Sequence, residues 1–279
     1  MLQRVIVSVV AIPIIFCIVL FAPPVVLGIL IGLVAARCVW EFLFCTERDA
    51  PIRISAYAAV CAFGIPLLSS LFDPGIVTAG FSCLLFMLMG FELIWSFRKK
   101  TTMEFETVAV TMLAGIVIPL LLSGVVRLAT RENGSVSALF VFLVVFSSDI
   151  FAYLIGVAIG RHKVAPRISP NKTVEGCAGG LIASIGVALL YGVILRGSGF
   201  EINLSAMGAC AFLGALAAQM GDLCFSAVKR LFGVKDFSQL IPGHGGMMDR
   251  FDSMVWAATL MELILVWVPI IVKFAEQNE

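Results

Sequence analysis

The chain has 279 residues, of which 61% are hydrophobic and 13% charged, with a mean hydropathy of +1.07; a soluble domain carries roughly a quarter charged residues, so this balance belongs to a bilayer. A formal net charge of +1 excludes the basic footprint of a nucleic-acid-binding protein. The apolar runs are long and continuous rather than alternating over ~10 residues, which excludes a membrane β-barrel and leaves an all-α, polytopic integral membrane protein.

In chain order the hydropathy predicts nine spans, at 5–22, 24–44, 52–72, 75–95, 107–128, 136–158, 175–196, 205–226 and 253–273. Pro23-Pro24 divides a first apolar stretch too long for one crossing, Asp73-Pro74-Gly75 divides the next, and Arg98-Lys99-Lys100 closes the fourth. The run after Met1-Leu2-Gln3-Arg4 is longer than a signal-peptide core and no small-residue cleavage site follows, so it reads as a retained first helix. Lys and Arg accumulate in short cytoplasmic loops. With the N-terminus cytosolic, Arg4, Arg48, Arg53, Arg98, Lys99, Lys100, Arg161, Lys163, Arg167, Lys172, Lys229, Arg230, Lys235 and Arg250 are cytoplasmic, 14 of 19. Only Arg127, Arg131, Arg196 and Lys273 fall outside, and Arg37 sits within a span. The loops 159–174 and 227–252 then face the cytosol, where nucleotides are.

The two halves differ in kind. Residues 1–134 form an N-terminal helix bundle with most charge in its loops, whereas 135–279 form a catalytic transmembrane domain with carboxylates inside or at the ends of spans. An aspartate at mid-bilayer costs at least ~2.5 kcal/mol on insertion scales, so Asp149 and Asp222 call for a functional explanation. The eight cysteines are scattered through apolar spans without a Cys-x-x-Cys pair and read as small packing residues. Two histidines, His162 and His244, are too few for structural zinc.

Three segments carry the chemistry. Ser169-Pro170-Asn171-Lys172-Thr173-Val174-Glu175-Gly176 opens the seventh span; it reads either as a turn with helix capping or as a phosphate contact in which Lys172 acts with free N–H groups. In Gly221-Asp222-Leu223-Cys224-Phe225-Ser226-Ala227-Val228-Lys229-Arg230, helical spacing places Asp222, Ser226 and Lys229 or Arg230 along one face; snorkelling to headgroups is the alternative for the two cations. The third runs from Lys235-Asp236-Phe237-Ser238 through Pro242-Gly243-His244-Gly245-Gly246 to Asp249-Arg250-Phe251-Asp252. Its glycines allow close backbone approach to a ligand, and Asp249 and Asp252 stand three apart at a helix start, where capping is again open for one of them. Oxygen ligands with phosphate-handling neighbours suit Mg²⁺ as the cofactor, with a second cation left open. No Walker loop, Gly-x-Ser-x-Gly or Gly-x-Gly-x-x-Gly is present.

Ser226-Ala-Val-Lys229-Arg230, Lys235-Asp236-Phe-Ser238 and Pro242-Gly-His244-Gly-Gly-Met-Met-Asp249-Arg250-Phe-Asp252 together resemble the signature of the CDP-diacylglycerol synthase (phosphatidate cytidylyltransferase) family. Ser169 to Gly176, and Asp149-Ile-Phe-Ala152-Tyr153-Leu-Ile-Gly156, resemble two further segments of it, so the likeness covers about 145–255. Ile150 and Val157 depart from the residue types expected there, and no role passes to them. The resemblance implies that a phosphate oxygen of phosphatidic acid attacks the α-phosphorus of CTP, giving CDP-diacylglycerol and pyrophosphate. It further implies Asp222 and Asp249 as metal ligands, with Asp149 and Asp252 as additional acidic groups. Asp222, Asp249 and Lys172 carry catalysis in this reading; Lys172, Lys229, Lys235 and Arg250 hold phosphates; Ser169, Asn171, Thr173, Ser226, Arg230, Asp236 and His244 complete the substrate contacts. A homodimer in a bacterial cytoplasmic membrane is expected, with the small residues of Gly208–Ala218 as a hint of close helix packing. Two other classes compete: a CTP-dependent lipid kinase, which would release CDP, and an ion-coupled transporter with Asp149 and Asp222 as a relay, for which no internal repeat is visible.

Overall fold

The computed structural model describes residues 13–47, 50–98, 103–239, 245–268 and 270–273. Seven helices within these residues are long and apolar enough to cross a membrane: Pro24–Thr46, Ile52–Ser69, Pro74–Arg98, Phe105–Ala129, Gly134–Ile159, Val174–Gly197 and Leu204–Leu231. A helical segment at 13–21 precedes them, and the rest of the predicted first span lies outside the described residues. An eighth long helix, Met248–Trp267, carries Asp249, Arg250, Asp252 and Glu262 and so is less apolar than the others.

The predicted last span, 253–273, is displaced. Its helix begins at Met248 and ends at Trp267, and Ile271–Lys273 is a strand paired antiparallel with Phe200–Ile202. Apolar content alone cannot separate a helix from a short strand that continues its hydrophobicity. The loop predicted at 227–252 likewise loses both its ends to helix, because Leu204–Leu231 keeps Lys229 and Arg230 in its last turn and the next helix begins at Met248. The loop at 159–174 contains a second small antiparallel pair, Lys163–Ala165 with Ser169–Thr173.

Packing groups the chain into two compact units, Met1–Arg127 with Lys229–Phe251, and Leu128–Val228 with Asp252–Glu279. In the first, helix Pro24–Thr46 lies close against Ile52–Ser69, since a Cβ at Gly32 would come within 2.7 Å of the Phe63 carbonyl. Ile54, Cys61, Ile65, Leu85, Met89 and Ile116 form a buried cluster among these helices. Phe105–Ala129 is not a uniform helix. Residues Leu113–Val117 take a π-helical turn ahead of Pro119, which has no N–H to give and would crowd the carbonyl one turn before it. Arg53 clamps the buried Glu92 through both carboxylate oxygens, at 2.6 and 2.7 Å, which satisfies a charge that lipid could not.

In the second unit, helices Gly134–Ile159 and Val174–Gly197 meet along glycines. A Cβ at Gly180 would stand 2.6 Å from the Ser148 carbonyl, and one at Gly176 2.5 Å from that of Ala152. Small residues allow this backbone approach where lipid offers no hydrophobic drive between helices. Helix Met248–Trp267 runs antiparallel to Leu204–Leu231: Gly221 faces the Asp252 carbonyl and Trp256, Gly214 faces Met261, and Ile202 pairs with Ile271. Much of the small-residue stretch 208–218 is therefore spent on packing within the chain, with Ala211, Ala215 and Ala218 all buried.

Candidate active site

Two polar clusters sit on these elements, one in each compact unit. In the second unit, the strand Ser169–Thr173 delivers Lys172 as it ends, and Thr173 starts the helix Val174–Gly197. Thr173 is buried and its hydroxyl accepts from the Gly176 N–H at 3.2 Å, so this threonine is an N-cap. The Lys172 ammonium donates to Asp222 Oδ2 at 3.0 Å and to the Gln219 carbonyl at 2.9 Å. Ser226, one helical turn beyond Asp222, donates its hydroxyl to Oδ1 at 3.3 Å. Asp222 and Ser226 share a helix face, and the cation in contact with Asp222 is Lys172 from another element, not the expected Lys229 or Arg230.

Gln219 was not singled out by the sequence. Its side-chain amide donates to the Ser148 hydroxyl at 3.3 Å and to the Cys177 carbonyl at 3.0 Å, tying the helix under Lys172 to both glycine-lined helices. At the other end of this unit's acidic set, Asp149 is exposed and accepts from the Ser253 hydroxyl at 3.3 Å. Asp252 is buried and accepts from the Ser253 N–H at 2.8 Å. Glu175 accepts from the Arg161 N–H at 3.0 Å and contacts His162 Nδ1 at 2.6 Å, which fastens the strand pair to the helix start.

In the first unit the described residues on either side of the signature loop gather around Asp249. Oδ1 accepts from the Lys229 ammonium at 2.7 Å, and Oδ2 accepts from the Phe237 and Gly246 N–H groups, each at 2.9 Å. Both charged side chains are nearly sequestered, at 9% and 4% exposure. Lys229 also lies 5.5 Å from the centre of the Phe237 ring, a cation–π contact that orders the loop further. Glu41, from helix Pro24–Thr46, is 1% exposed and accepts from Ser238 Oγ at 2.7 Å, the Met248 N–H at 3.0 Å and Arg37 Nε at 3.0 Å. The sequence carries a signal for it, a carboxylate inside an apolar span, the same feature that marks Asp149 and Asp222.

The remaining predicted residues are placed less centrally. Ser169 is half-buried in the strand pair, Asn171 is exposed beside it, and Lys235, Asp236 and Arg250 are exposed. Arg230 donates to the Val234 carbonyl at 2.9 Å, closing its helix. His244 lies outside the described residues. Among the described residues no group of three His, Cys, Asp or Glu side chains is arranged to hold a metal. Mg²⁺ does not require one, since one or two carboxylates with waters and substrate phosphates suffice.

A sequence profile described as the Cytidylyltransferase family matches residues 2–268. Curated relatives named phosphatidate cytidylyltransferase include those of Staphylococcus haemolyticus (strain JCSC1435), 43% identical over 138 residues, and Staphylococcus saprophyticus subsp. saprophyticus, 44% identical over 137. That of Staphylococcus aureus (strain COL) is 43% identical over 139 residues. These matches cover 49 to 50% of this chain and 52% of each relative, so the chain spans about half the length of the curated relatives it matches.

Proposed function

We propose, because this chain belongs to the cytidylyltransferase family, that it transfers the cytidylyl group of CTP to phosphatidic acid. A phosphate oxygen of the lipid attacks the α-phosphorus, the bond from that phosphorus to the bridging oxygen of the β-phosphate breaks, and pyrophosphate leaves. The observation that carries this reading is Lys172 held against Asp222 and the Gln219 carbonyl, beside Ser226. A cation there meets the charge that builds on phosphoryl oxygens, so the work of the site is positioning and electrostatic stabilisation. The lipid phosphate is already anionic, and no strong general base is needed.

Mg²⁺ belongs to the proposal, and the donor set fits it unequally. A carboxylate has about four lone-pair sites. Asp222 uses two on Lys172 and Ser226, and its side chain is 36% exposed. Asp249 uses three on Lys229, Phe237 and Gly246 and is nearly sequestered. Asp222 and Asp249 are the proposed ligands, Asp222 the better supported, with Asp149 and Asp252 as further acidic groups. When bound, the ion would neutralise charge on the triphosphate and the leaving pyrophosphate. Lys229, Lys235 and Arg250 are further proposed phosphate contacts, and homodimerisation rests on the family resemblance alone.

The nine-span topology with a cytosolic N-terminus is proposed on the charge bias. Helix Met248–Trp267 is ~30 Å long at 1.5 Å per residue, and its antiparallel course beside Leu204–Leu231 supports a full crossing. The active site would then face the cytosol, in a bacterial cytoplasmic membrane.

The deciding assay uses purified protein with CTP, phosphatidic acid and Mg²⁺. Release of pyrophosphate with formation of CDP-diacylglycerol is the expected result; release of CDP with a phosphorylated lipid would make the protein a kinase instead.

A further inference from the structure

We infer that Glu41 is a positioning residue that holds the two described ends of the signature segment, Phe237–Ser238 and Gly246–Asp249, in their working conformation. The inference rests on the reading above only in taking that segment as part of the active site. Its geometry lies wholly within the first compact unit.

Glu41 comes from the N-terminal half, which shares no signature motif, and it reaches the loop through three donors. Ser238 Oγ and the Met248 N–H bond its two oxygens at 2.7 and 3.0 Å, while Arg37, one turn earlier on its own helix, holds Oε1 at 3.0 Å. Met248 is the first residue of the last long helix, so Glu41 satisfies one of that helix's unpaired N–H groups and lies at its positive dipole end. Asp249 binds the same loop from the other side through Phe237 and Gly246. Gly246 is pinned between the two carboxylates: its N–H goes to Asp249, and a Cβ built on it would run into Glu41 Oε2 and come within 2.7 Å of Ser238 Oγ. Phe42, the residue after Glu41, adds an aromatic contact to Phe237 with centroids 5.8 Å apart. The glycine thus accommodates an internal carboxylate, and the loop's shape depends on a helix nearly 200 residues earlier in the chain.

A charged group 1% exposed in an apolar helix is costly unless its partners are specific. Here the partners of Glu41 beyond its own helix are Ser238 in the loop and Met248 at the helix start that follows it. An anchor of this kind acts on rate through geometry, because displacement of reacting groups by about 1 Å costs on the order of 10²-fold.

The test uses the full chain, purified in detergent, as wild type, Glu41→Gln and Ser238→Ala. Hydrogen exchange followed by mass spectrometry should show faster exchange in peptides covering 232–250 in Glu41→Gln, with protection of 174–197 unchanged. The kcat for cytidylyl transfer should fall ~10²-fold while KM for CTP stays within about threefold. Ser238→Ala removes one donor and keeps the carboxylate, so it should shift both readouts in the same direction by less. Unchanged exchange at 232–250 in both variants would overturn the inference. So would a loss of protection spread evenly over the whole chain in both, which would make Glu41 a general stability residue. If wild type itself lacks cytidylyl transfer, the functional reading fails, and the exchange result still decides whether Glu41 holds the loop.

Discussion

Two lysine–aspartate pairs with the same chemistry are set at different depths, and depth decides what each can do. Lys172 and Asp222 are 12% and 36% exposed at the side chain, whereas Lys229 and Asp249 are 9% and 4% exposed. Removing one partner of a buried pair strands the other charge at a cost of about 3–5 kcal/mol, while a partly solvated pair loses much less. Asp249→Asn should therefore lower both thermal stability and turnover, because Lys229 is left unpaired and the loop amides lose part of their acceptor. Asp222→Asn should abolish turnover with a melting temperature close to wild type. Measuring both by unfolding scans and pyrophosphate release separates the roles; equal destabilisation would show that depth does not distinguish the pairs. If the two aspartates act as one unit on Mg²⁺, the double variant should be scarcely slower than either single one. Lys172→Ala belongs with Asp222. It should raise the KM for CTP at least tenfold, since the cation proposed to meet the triphosphate is gone, without unfolding the protein. Unchanged kinetics there would leave that motif with helix capping alone.

At the scale of elements, the helix start at Thr173 joins local structure to the placement of Lys172. The Thr173 hydroxyl caps Gly176, and a Cβ at Gly160 would come within 2.6 Å of it, so the strand end has one way to enter the helix. Thr173→Ala should cost about 1 kcal/mol of stability, the usual loss for an N-cap, and Thr173→Ser should restore it. Turnover per folded molecule should change less than in Lys172→Ala; a loss as large would give Thr173 a direct substrate role. The long helices were legible in the sequence because bilayer thickness and backbone satisfaction leave few choices for 20 apolar residues. The span predicted from 136 begins as a helix at Gly134, after Asn133 in the left-handed region at φ 56° turns the chain into it. The π-helical turn at Leu113–Val117 and the strand at Ile271–Lys273 were not legible. Hydropathy reports the solvent around a residue and says nothing of which backbone partner it finds. Lys172 beside Asp222 was likewise hidden, because the two are 50 positions apart and only the glycine-lined packing of the helices between them brings them together.

At the scale of the molecule, membrane sidedness is the property most exposed to test, and it can be argued from charge and from pairing independently. Fourteen of 19 Lys and Arg residues fall on one side under nine spans with the N-terminus cytosolic, the asymmetry expected when positive residues resist translocation. The stretch 160–173 holds Arg161, Lys163, Arg167 and Lys172 and no carboxylate. The strand Phe200–Ile202 holds none of these cations, and its partner Ile271–Lys273 must share its side of the membrane because the two are hydrogen-bonded. A cysteine-free variant carrying a single cysteine at Val164 should react with a membrane-impermeant thiol reagent only from the cytosolic side. Cysteines at Glu201 and at Val272, both exposed positions, should react only from the opposite side, and both should do so together. Reaction of 164 and 201 from one side would remove the crossing by helix Val174–Gly197 and with it the charge argument. Reaction of 201 and 272 from different sides would contradict the strand pair and free helix Met248–Trp267 from its antiparallel course, leaving Asp249 and Asp252 without a fixed relation to the membrane surface.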